Sequence, residues 1–469
     1  MPDVKRSIKE FFRLEKELDL AGLKWDGVEI WAFLRNYYAE KFILTNDPGS
    51  KPSGGLALRG IKSLPYGFFN WFKSYRYLAI VGDNQRKEIN GKWTHPLDLL
   101  PAEIRDKTLF VELPVKGSHR PLKTLAHSHV VSRFWLILFE LFLIKIFPER
   151  KISGYQPGIS QLEKKIGVSL NSNYLIRRFV AGQKIMKLLL SRFKPEMVFC
   201  TTSYPIMGYI VACKEEGIPV VEMQHGFIGA THRAYNVVRD LKELPYPDYL
   251  LSWGTYEKSF LGREENFFIN EENVLPTGNF YLSHIRSRED EICATHQEAI
   301  SGFDLVVSVS MQDPLEDEMM TFLLELVEEC PQVGFLLLPR AHDKSYYRKK
   351  YTLPSNVLIL DQLNTYEGII ISDVHTTVWS TTAFEALALG RPNIIMNPNG
   401  MASEVLGHLL GPEVFTTFAM TVVDFALALK EVKSFNKSEI INRSNCFFVD
   451  DYVRRLSENI DLISSKVER

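Results

Sequence analysis

The chain has 469 residues, a length that predicts two domains rather than one. Its formal net charge of −2 and its charged fraction of 24% are typical of a globular protein and give no reason to expect a nucleic-acid partner. The five cysteines have no CxxC spacing, which argues against a zinc site and fits reduced thiols in the cytosol. Because the amino-terminal stretch has no apolar signal-peptide core, we expect a cytoplasmic protein.

The first 150 residues are rich in aromatic side chains and contain two short apolar runs. Arg76–Asp83 and Lys107–Pro114 each predict a buried strand, with a polar loop between them. Polar and aromatic residues around these strands are candidates for acceptor recognition, although ordinary core and loop roles are the favoured explanation. These candidates are Asp83, Arg86, Trp93, His95, Asp98 and Glu112.

The segment Phe134–Phe147 is the one run with the character of a membrane element. It is almost wholly apolar but too short to span a bilayer, so the sequence favours a buried helix. An interfacial helix is the alternative, because Lys145, Arg150 and Lys151 flank the apolar run. A further helix is predicted over Leu162–Arg192.

Strands and helices alternate regularly through the rest of the chain, which predicts parallel sheets with ligands beyond the carboxyl ends of the strands. Strands of the first series are predicted at 197–201 and 219–223 and within 242–254 and 272–278. Strands of the second series are predicted within 304–311, 333–342, 356–360, 368–374 and 393–398. The sequence therefore predicts an α/β fold with two Rossmann-like domains and a cleft between them.

The domain boundaries follow from a polar helical stretch that interrupts the alternation. Residues 283–302 form this stretch and are predicted to be a linker. Residues 1–282 then make the first Rossmann-like domain and residues 303–445 the second. Residues 446–469 are predicted to form a terminal amphipathic helix.

A histidine follows the predicted strand at 219–223, within the tripeptide Gln224-His225-Gly226. Glycine lets the backbone turn sharply beside a ligand, and His225 could act as a base or a phosphate donor near neutral pH. In the alternative, His225 caps a turn. His232 and Arg233 could add positive charge near the cleft, although a solvated loop is the favoured explanation for these two.

Two candidate groups follow strands of the second series. Ser308 and Ser310 place hydroxyls at a strand end, where they could contact a phosphate, but no glycine-rich loop accompanies them. Arg340 and His342 follow the strand within 333–342 and could neutralise a leaving phosphate. The alternative is a surface loop in which Arg340 pairs with Asp343.

The richest group of candidates is His375–Ile395, which comes after the predicted strand Gly368–Val374. His375 opens this stretch, and Glu385 lies one turn inside the following helix, where a carboxylate could accept from ribose hydroxyls. The helix start could bind a phosphate through its free N–H groups. In the alternative it is only a well-capped helix between two core strands. The hydroxyls here, of which the last three could cap the helix, are Thr376, Thr377, Ser380, Thr381 and Thr382.

These motifs resemble those of bacterial surface-polysaccharide glycosyltransferases of the GT-B fold. The resemblance covers roughly Lys194–Leu456 and includes the Gln-His-Gly-like strand end, LLSWGTYEKSFL and VLPTGNFY. LLLPRAHDK is similar to a Lys-x-His-Pro motif of that family, and TTVWSTTAFEALALGRPNII to its Ser/Thr–Glu donor motif. One departure is that Asp343 follows His342, where the family usually has proline.

The resemblance implies a GT-B enzyme of capsule or lipopolysaccharide biosynthesis that transfers a sugar from a nucleotide-activated donor in the cleft. It implies that His342 and the hydroxyls of Ser380–Thr382 touch the donor phosphate, that Glu385 binds the ribose and that His225 lies at the reacting centre. Glu222 is a second candidate for the base. Residues 1–282 would face the acceptor, a glycan or lipid-linked glycan, and residues 303–445 would bind the nucleotide.

No metal and no cofactor are expected beside the nucleotide sugar, which is a substrate. His225, His342 and His375 fall on separate predicted strands, and no HxH or HExxH spacing links these three histidines. The protein is expected in the cytoplasm, with peripheral membrane contact as a further partner. Within enzymes, a nucleotide-sugar 2-epimerase and a polyol-phosphate transferase of the same fold remain alternatives. A non-catalytic subunit of glycan assembly is the alternative from another class.

Overall fold

The chain forms two compact units. The computed structural model describes residues 8–18, 20, 24–25, 28–43, 60, 62–114, 118–146, 156–239, 245–312, 315–340, 343–432 and 434–467. Unit 1 comprises residues 1–252, 256–277 and 453–469, and unit 2 comprises residues 253–255 and 278–452. The chain thus leaves unit 1, completes unit 2 and returns to unit 1 for its last helix.

Unit 1 begins with a small aromatic-rich layer, in which the buried Arg35 pairs with Glu15 at 2.8 Å. Its elements are α1 (Ile8–Glu17), β1 (Lys24–Trp25), β2 (Val28–Glu29) and α2 (Trp31–Ile43). The sheet of unit 1 and its hairpin follow as β3 (Tyr77–Gly82), β4 (Lys87–Ile89), β5 (Lys92–Thr94), β6 (Thr108–Leu113), β7 (Val130–Ser132), β8 (Met197–Cys200), β9 (Val220–Met223), β10 (Tyr249–Ser252) and β11 (Val274–Pro276). The accompanying helices are α3 (Ala102–Arg105), α4 (Phe134–Ile146), α5 (Gln156–Ile166), α6 (Ser172–Phe193), α7 (Met207–Glu215) and α8 (Thr255–Leu261).

Seven parallel strands of the described residues form the sheet of unit 1, in the order β11-β10-β9-β8-β3-β6-β7. Strands β3, β6 and β7 extend to one side and strands β8 to β11 to the other, so the strand order reverses between β3 and β8. The strands are apolar and almost entirely buried, as expected for a sheet covered by helices on both faces.

Unit 2 repeats this plan with six described strands, all parallel, in the order β14-β13-β12-β15-β16-β17. Its strands are β12 (Leu305–Ser310), β13 (Val333–Leu338), β14 (Val357–Leu358), β15 (Val374–Thr376), β16 (Asn393–Met396) and β17 (Thr416–Ala419). Its helices are α9 (Phe280–Ser287), α10 (Glu289–Ile300), α11 (Glu316–Glu329), α12 (Lys344–Lys350), α13 (Thr365–Ile370), α14 (Thr382–Ala388), α15 (Met401–Leu406), α16 (Val422–Val432) and α17 (Lys437–Ser444). The last helix, α18 (Tyr452–Val467), lies in unit 1 from residue 453 onward.

Two Rossmann-like units in succession confirm the predicted α/β fold class of GT-B type. In unit 2 the strand order reverses between β12 and β15, which makes the carboxyl ends of these two strands the expected place for a ligand. The residues placed there are consequently the first to consider as a site.

The strand predicted at Gly368–Val374 is wrong over most of its length. Residues Thr365–Ile370 form α13, and the strand is confined to Val374–Thr376. The reason is a capping box in which Asn364 accepts from the Glu367 N–H while the Glu367 carboxylate accepts from the Asn364 N–H. This reciprocal cap starts a helix that the apolar, β-branched composition alone does not predict.

Other predicted elements differ in extent. The helix predicted over Leu162–Arg192 is two helices, α5 and α6, because the Asn171 side chain accepts from the Tyr174 N–H and starts a new helix there. Residues 283–302, predicted as a linker, lie in α9 and α10 of unit 2, and unit 1 ends its second segment at residue 277. The terminal helix predicted over 446–469 begins at Tyr452.

The apolar run predicted over Phe134–Phe147 is the helix α4, and it is buried on one face only. Phe147, Arg150 and Lys151 lie outside the described residues. Within the described part of the chain, no helix combines the length and apolarity needed to cross a bilayer.

Candidate functional site

The candidate site in unit 2 lies where the strand order reverses. Strands β12 and β15 are neighbours, with Val309 opposite Thr376, so both strands end at the same carboxyl edge, while the side chains of Ser310 and Thr376 lie on opposite faces of the sheet. Both side chains are buried, with Ser310 4% and Thr376 0% exposed. The neighbour of the predicted site residue Ser310 is Thr377, whose hydroxyl donates to the Ser310 carbonyl at 3.1 Å.

Neither of these two hydroxyls has a hydrogen-bond partner among the described residues. The atoms are Ser310 Oγ and Thr376 Oγ1. Buried hydroxyls in folded proteins are nearly always paired, since leaving one unpaired costs about 1–3 kcal/mol. Two buried hydroxyls at the expected ligand edge are therefore left without a described partner.

A glutamine fixes the loops around these hydroxyls. The Gln312 Oε1 atom accepts from the backbone N–H groups of Val378 (3.2 Å) and Trp379 (2.8 Å) and from the Thr377 hydroxyl (3.2 Å). The loop after β12 is thereby tied to the loop after β15. Gln312 was visible in the sequence after the second-series strand, but its long-range partners were not.

An open apolar hollow adjoins the same edge. It is lined by Met319 and Phe322 of α11, by Val378 after β15, and by Met396 and Pro398 at the end of β16. The edge therefore combines unpaired hydroxyls with apolar surface, the usual composition of a small-molecule site.

His375 is placed differently from the prediction. Its side chain is fully buried, with Nδ1 3.1 Å from Ser308 Oγ and Nε2 3.1 Å from Thr382 Oγ1. Burial lowers the pKa of His375 to about 3, so the ring is neutral at physiological pH. Because both ring nitrogens are engaged within unit 2, His375 holds strand β12 and the start of α14 together, and we do not include it among ligand-binding groups.

The predicted helix cap is made by one of the three candidate hydroxyls. Ser380 Oγ accepts from the Thr382 N–H at 3.3 Å, whereas the N-cap residue Thr381 makes no capping bond with its side chain. Thr381 and Thr382 are partly exposed, and Ser380 is buried. All three lie directly after β15 and its unpaired Thr376 hydroxyl.

Glu385 is held by a tyrosine that the sequence analysis missed. Tyr366 of α13 donates from its hydroxyl to Glu385 Oε1 at 2.8 Å. Burial, and then the charge of Glu385, raise the pKa of Tyr366 far above its ordinary value, while the charge of Arg340 acts in the opposite direction. The influence of Arg340, whose side chain is exposed, places its charge near this pair. The prediction of a strand from Gly368 obscured the helix that carries Tyr366.

The histidine of the Lys-x-His-Pro-like motif lies outside the described residues. This is His342, which together with Ala341 has no described placement. Asp343, offered as a partner for Arg340, instead caps α12 by accepting from the Tyr346 N–H at 2.9 Å.

In unit 1, the candidate catalytic residues lie at the carboxyl end of β9. Glu222 is 0% exposed, and its Oε1 accepts from the Ser203 N–H (3.0 Å) and the Tyr235 hydroxyl (2.8 Å). Burial raises the pKa of Glu222 despite these bonds. Its Oε2 atom is buried without a partner among the described residues.

His225 differs from Glu222 because its side chain is partly exposed. Burial of its ring lowers the pKa of His225 to about 4, and Nδ1 has no hydrogen-bond partner within the described ranges. Aromatic rings surround it, with the Tyr204 ring centroid at 6.3 Å and the His232 centroid at 6.4 Å. Burial, and then the charges of His225 and Arg233, lower the pKa of His232 to about 3. A neutral imidazole with an unoccupied nitrogen can accept a proton.

The neighbours of His225 support the turn rather than point at a ligand. Gln224 Nε2 donates to Glu257 Oε1 at 2.7 Å and to the Gly226 carbonyl at 3.0 Å. A Cβ added at Gly226 would meet nothing within 4 Å, so sterics do not require glycine there. Arg233 pairs with Glu40 at 3.4 Å.

The first-half candidates form a separate buried cluster after β3 and β6. Arg86, 2% exposed, pairs with Glu112 at 2.6 Å and with Asp98 at 3.2 Å. His127 Nε2 lies 2.6 Å from Asp98 Oδ1. Although burial acts to raise it, the hydrogen bond from His127 and the charges of His127 and Arg86 keep the pKa of Asp98 below its ordinary value.

The other first-half candidates also make their contacts within unit 1. Asp83 pairs with Arg120 at 2.8 Å, and the Arg120 guanidinium lies 4.0 Å from the centroid of the Trp93 ring. His95 is fully buried, where its Nδ1 accepts from the Leu97 N–H. Within the described ranges, no group of three or more histidine, cysteine, aspartate or glutamate side chains is arranged to hold a metal ion.

No protein-family model and no curated protein match the chain. Solved structures are similar at 10–12% identity, each with a TM-score of 0.48. A UDP-GlcNAc 2-epimerase from Neisseria meningitidis bound to UDP-GlcNAc is 11% identical, and the match covers 82% of this chain and 99% of that chain. A variant of the wall teichoic acid polymerase TagF is 12% identical, with 94% of this chain and 99% of that chain covered, and a glycosyltransferase from Rickettsia africae ESF-5 is 10% identical, with 85% and 99% covered. At this level of likeness they carry no argument about activity, and the fold class rests on the two sheets themselves.

Proposed function

We propose that this protein is a glycosyltransferase of GT-B type that moves a sugar from a nucleotide-activated donor to a growing cell-surface glycan, in a capsule or a lipopolysaccharide. The observation that carries the proposal is the pair of unpaired buried hydroxyls, Ser310 and Thr376, where the strand order of unit 2 reverses. A nucleotide phosphate offers acceptor oxygens that such donors can satisfy.

The donor nucleotide is bound by unit 2 in this proposal. Ser310 donates to a phosphate on the face of the sheet where His375 contacts Thr382 at the start of α14, Thr376 donates to the ligand from the other face, and Glu385 accepts from the ribose hydroxyls. The bond from Tyr366 to Glu385 fixes the carboxylate that would receive those hydroxyls. Arg340, exposed near this pair, supplies positive charge to the departing phosphate.

The base is His225 of unit 1. It takes the proton of the acceptor hydroxyl, whose oxygen forms a bond to the anomeric carbon of the sugar. The bond from that carbon to the phosphate oxygen breaks, and its electron pair leaves with the nucleotide. One observation favours His225 over Glu222: the His225 side chain is partly exposed, whereas Glu222 is fully buried and its Oε1 atom accepts two hydrogen bonds.

Donor binding is tested by thermal shift against CMP-, UDP-, GDP- and CDP-linked compounds. A ligand at 100 times its Kd raises the free energy of unfolding by about 2.7 kcal/mol. Ser310→Ala is expected to keep its Tm without ligand but to bind about tenfold more weakly, the loss of about one hydrogen bond.

A matched control is available in the same unit. Ser372 is equally buried, but its hydroxyl donates to the Gly368 carbonyl at 2.6 Å, and it precedes β15 instead of lying at the carboxyl end of a strand. Ser372→Ala should lower Tm and leave donor affinity unchanged. If both variants bind the donor as the parent does, the assignment of the phosphate site is wrong. If the Tm of the parent does not shift with any of the compounds, a non-catalytic subunit is favoured.

Transfer is tested with His225→Ala and Glu385→Gln, the second chosen because glutamine keeps an oxygen for the Tyr366 hydroxyl. We expect His225→Ala to lower kcat by about 100-fold or more with donor binding retained, as for loss of a general base. Glu385→Gln should mainly raise the KM for the donor. Full activity of both variants would contradict the proposal.

The same assay separates the remaining alternatives. Conversion of the donor sugar without any acceptor would identify an epimerase, and turnover of only a nucleotide-linked polyol would identify a polyol-phosphate transferase. Because the proposal includes no metal, activity should survive EDTA. Placement in the cytoplasm with peripheral membrane contact, where a lipid-linked acceptor would be found, is also part of the proposal.

A further inference from the structure

Helix α4 presents an apolar face to the outside of unit 1. Phe134, Leu136 and Ile144 face the core, whereas Phe139 and Phe142 on the opposite side are 54% and 59% exposed. A surface helix normally shows the reverse arrangement, with charged side chains outward. The exposed apolar residues of α4 recur at helical spacing and are Leu138, Phe139, Leu141, Phe142 and Ile146.

A second element extends this face. The 3₁₀ turn Phe68–Phe72 leaves Phe69 and Phe72 81% and 67% exposed. Ring contacts join the two elements, because Phe68 lies 5.8 Å from Trp135 and Trp135 lies 6.5 Å from Phe139. We call the combined face the aromatic surface; it comprises Phe68, Phe69, Phe72, Trp135, Leu138, Phe139, Leu141, Phe142 and Ile146.

The aromatic surface is held in place from beneath. Asn70 Nδ2 donates to the carbonyls of Ser128 (2.7 Å) and Val130 (3.1 Å), and Trp135 Nε1 donates to the Leu64 carbonyl at 2.8 Å. Gly67 has a φ of +63°, and a Cβ there would come within 1.7 Å of the Val130 carbonyl oxygen. The turn is therefore fixed against β7, the edge strand, and its phenylalanines are presented rather than left loose.

The sequence segments that carry the aromatic surface are poor in acidic residues. Residues 60–82 and 114–139 contain no aspartate or glutamate, although the whole chain has a net charge of −2. Lys62, Lys73 and Lys145 are exposed. The one acid on α4, Glu140, is buried and accepts from the Tyr209 hydroxyl. Apart from Glu140 and Glu149, the acidic residues of the chain lie outside residues 60–82 and 114–151.

We propose that the aromatic surface binds a lipid bilayer that contains anionic lipids, with its phenylalanines in the interfacial region and its lysines against the headgroups. Contiguous exposed apolar patches mark interaction sites, and aromatic side chains with flanking lysines are typical of membrane interfaces. A symmetric contact with a second copy fits less well, because it would place the lysines of both copies against one another. The inference rests on the proposed function and deepens it, because it names the surface through which the proposed glycosyltransferase would contact the membrane.

The experiment is flotation of the full chain with phosphatidylcholine vesicles, with and without phosphatidylglycerol, in the absence of donor and acceptor. The parent protein should float with the anionic vesicles, and high salt should weaken binding. Phe69→Ser/Phe142→Ser should lower the partition coefficient by about tenfold or more. Val423→Ser/Leu427→Ser, which changes two exposed apolar residues of α16 in unit 2, is the matched control and should bind like the parent.

Each outcome of the flotation experiment either supports the membrane-binding inference or overturns it. Equal binding by the two double variants, or no binding by the parent, would overturn the inference. If sedimentation shows a parent dimer that Phe69→Ser/Phe142→Ser abolishes, a second copy covers the surface and the inference is also wrong. Because flotation needs no nucleotide, its result is independent of the donor-binding assay, and failure of either proposal leaves the other distinguishable.

Discussion

Two groups of buried polar side chains lie at carboxyl ends of strands, one in each unit, and they are satisfied in opposite ways. In unit 1, Arg86 is surrounded by carboxylates at 2.6 and 3.2 Å, so the charges offset one another within the protein. In unit 2, the hydroxyls of Ser310 and Thr376 have no described partner. The comparison shows why burial of polar groups alone does not identify a site: opposite charges compensate one another in the first group, whereas the second group consists of neutral hydroxyls without a described partner.

The sharpest way to break this comparison is Arg86→Met, which keeps the volume of the side chain but removes its charge. Glu112 and Asp98 would remain buried without their cation, and the free energy of unfolding should fall by about 3–5 kcal/mol. Urea denaturation measures this loss. A change below about 1 kcal/mol would mean that the cluster is not a structural unit, and the contrast with unit 2 would disappear.

A medium effect is expected for the pH dependence of stability, which reports on His375. The folded-state pKa of about 3 lies below the ordinary value of 6.5, so the unfolded chain binds the proton first as the pH falls. The contribution of His375 is complete above pH 6.5 and decreases between pH 6.5 and about 3.

His375→Gln should therefore flatten the plot of unfolding free energy against pH by about 1 kcal/mol per pH unit between about pH 6 and pH 4. Chemical denaturation at a series of pH values provides the measurement. An unchanged slope in the variant would show that the ring is not held neutral, and that a charged His375 could meet a phosphate after all.

The smallest effect on stability is expected for Thr376→Val, which removes the unpaired hydroxyl and keeps the shape of the side chain. The free energy of unfolding should stay within about 0.5 kcal/mol of the parent or rise, because no internal hydrogen bond is lost. Denaturation without ligand measures this, and thermal shift with the donor should show weaker binding. A clear loss of stability would reveal an internal partner and remove the argument for a ligand at this edge.

The sequence predicted the strands well because a buried parallel strand leaves a local signal, an apolar run between turn residues. It predicted secondary structure less well where a long-range partner or a helix cap determines the conformation. The capping box of Asn364 and Glu367 turned a β-branched run into α13, and the spacing Asn-x-x-Glu was a local signal that could have revealed it. The bond from Tyr366 to Glu385 left no such signal, because the partners belong to different helices.

The same difference between local and long-range features separates the site residues that the sequence could identify from those that it could not. The sequence located Ser310, Glu385 and His225 at strand ends or in the following helix, since strand ends are local features. It could not distinguish the bonded His375 from the unpaired Thr376 next to it, because hydrogen-bond satisfaction depends on Ser308 and Thr382 in the folded unit. Whether a polar residue is structural or available is a tertiary property.

The return of the chain to unit 1 has a consequence for its biosynthesis. Asn459 of α18 donates to the Thr277 hydroxyl at 3.0 Å, although 181 residues lie between them in sequence, as their separation of 182 positions shows. A ribosome that has released the first 277 residues has therefore not yet supplied every part of unit 1, whereas unit 2 is complete once residue 452 has emerged. Unit 1 therefore begins first but is completed last. The part of unit 1 that α18 covers stays open to chaperones while unit 2 folds.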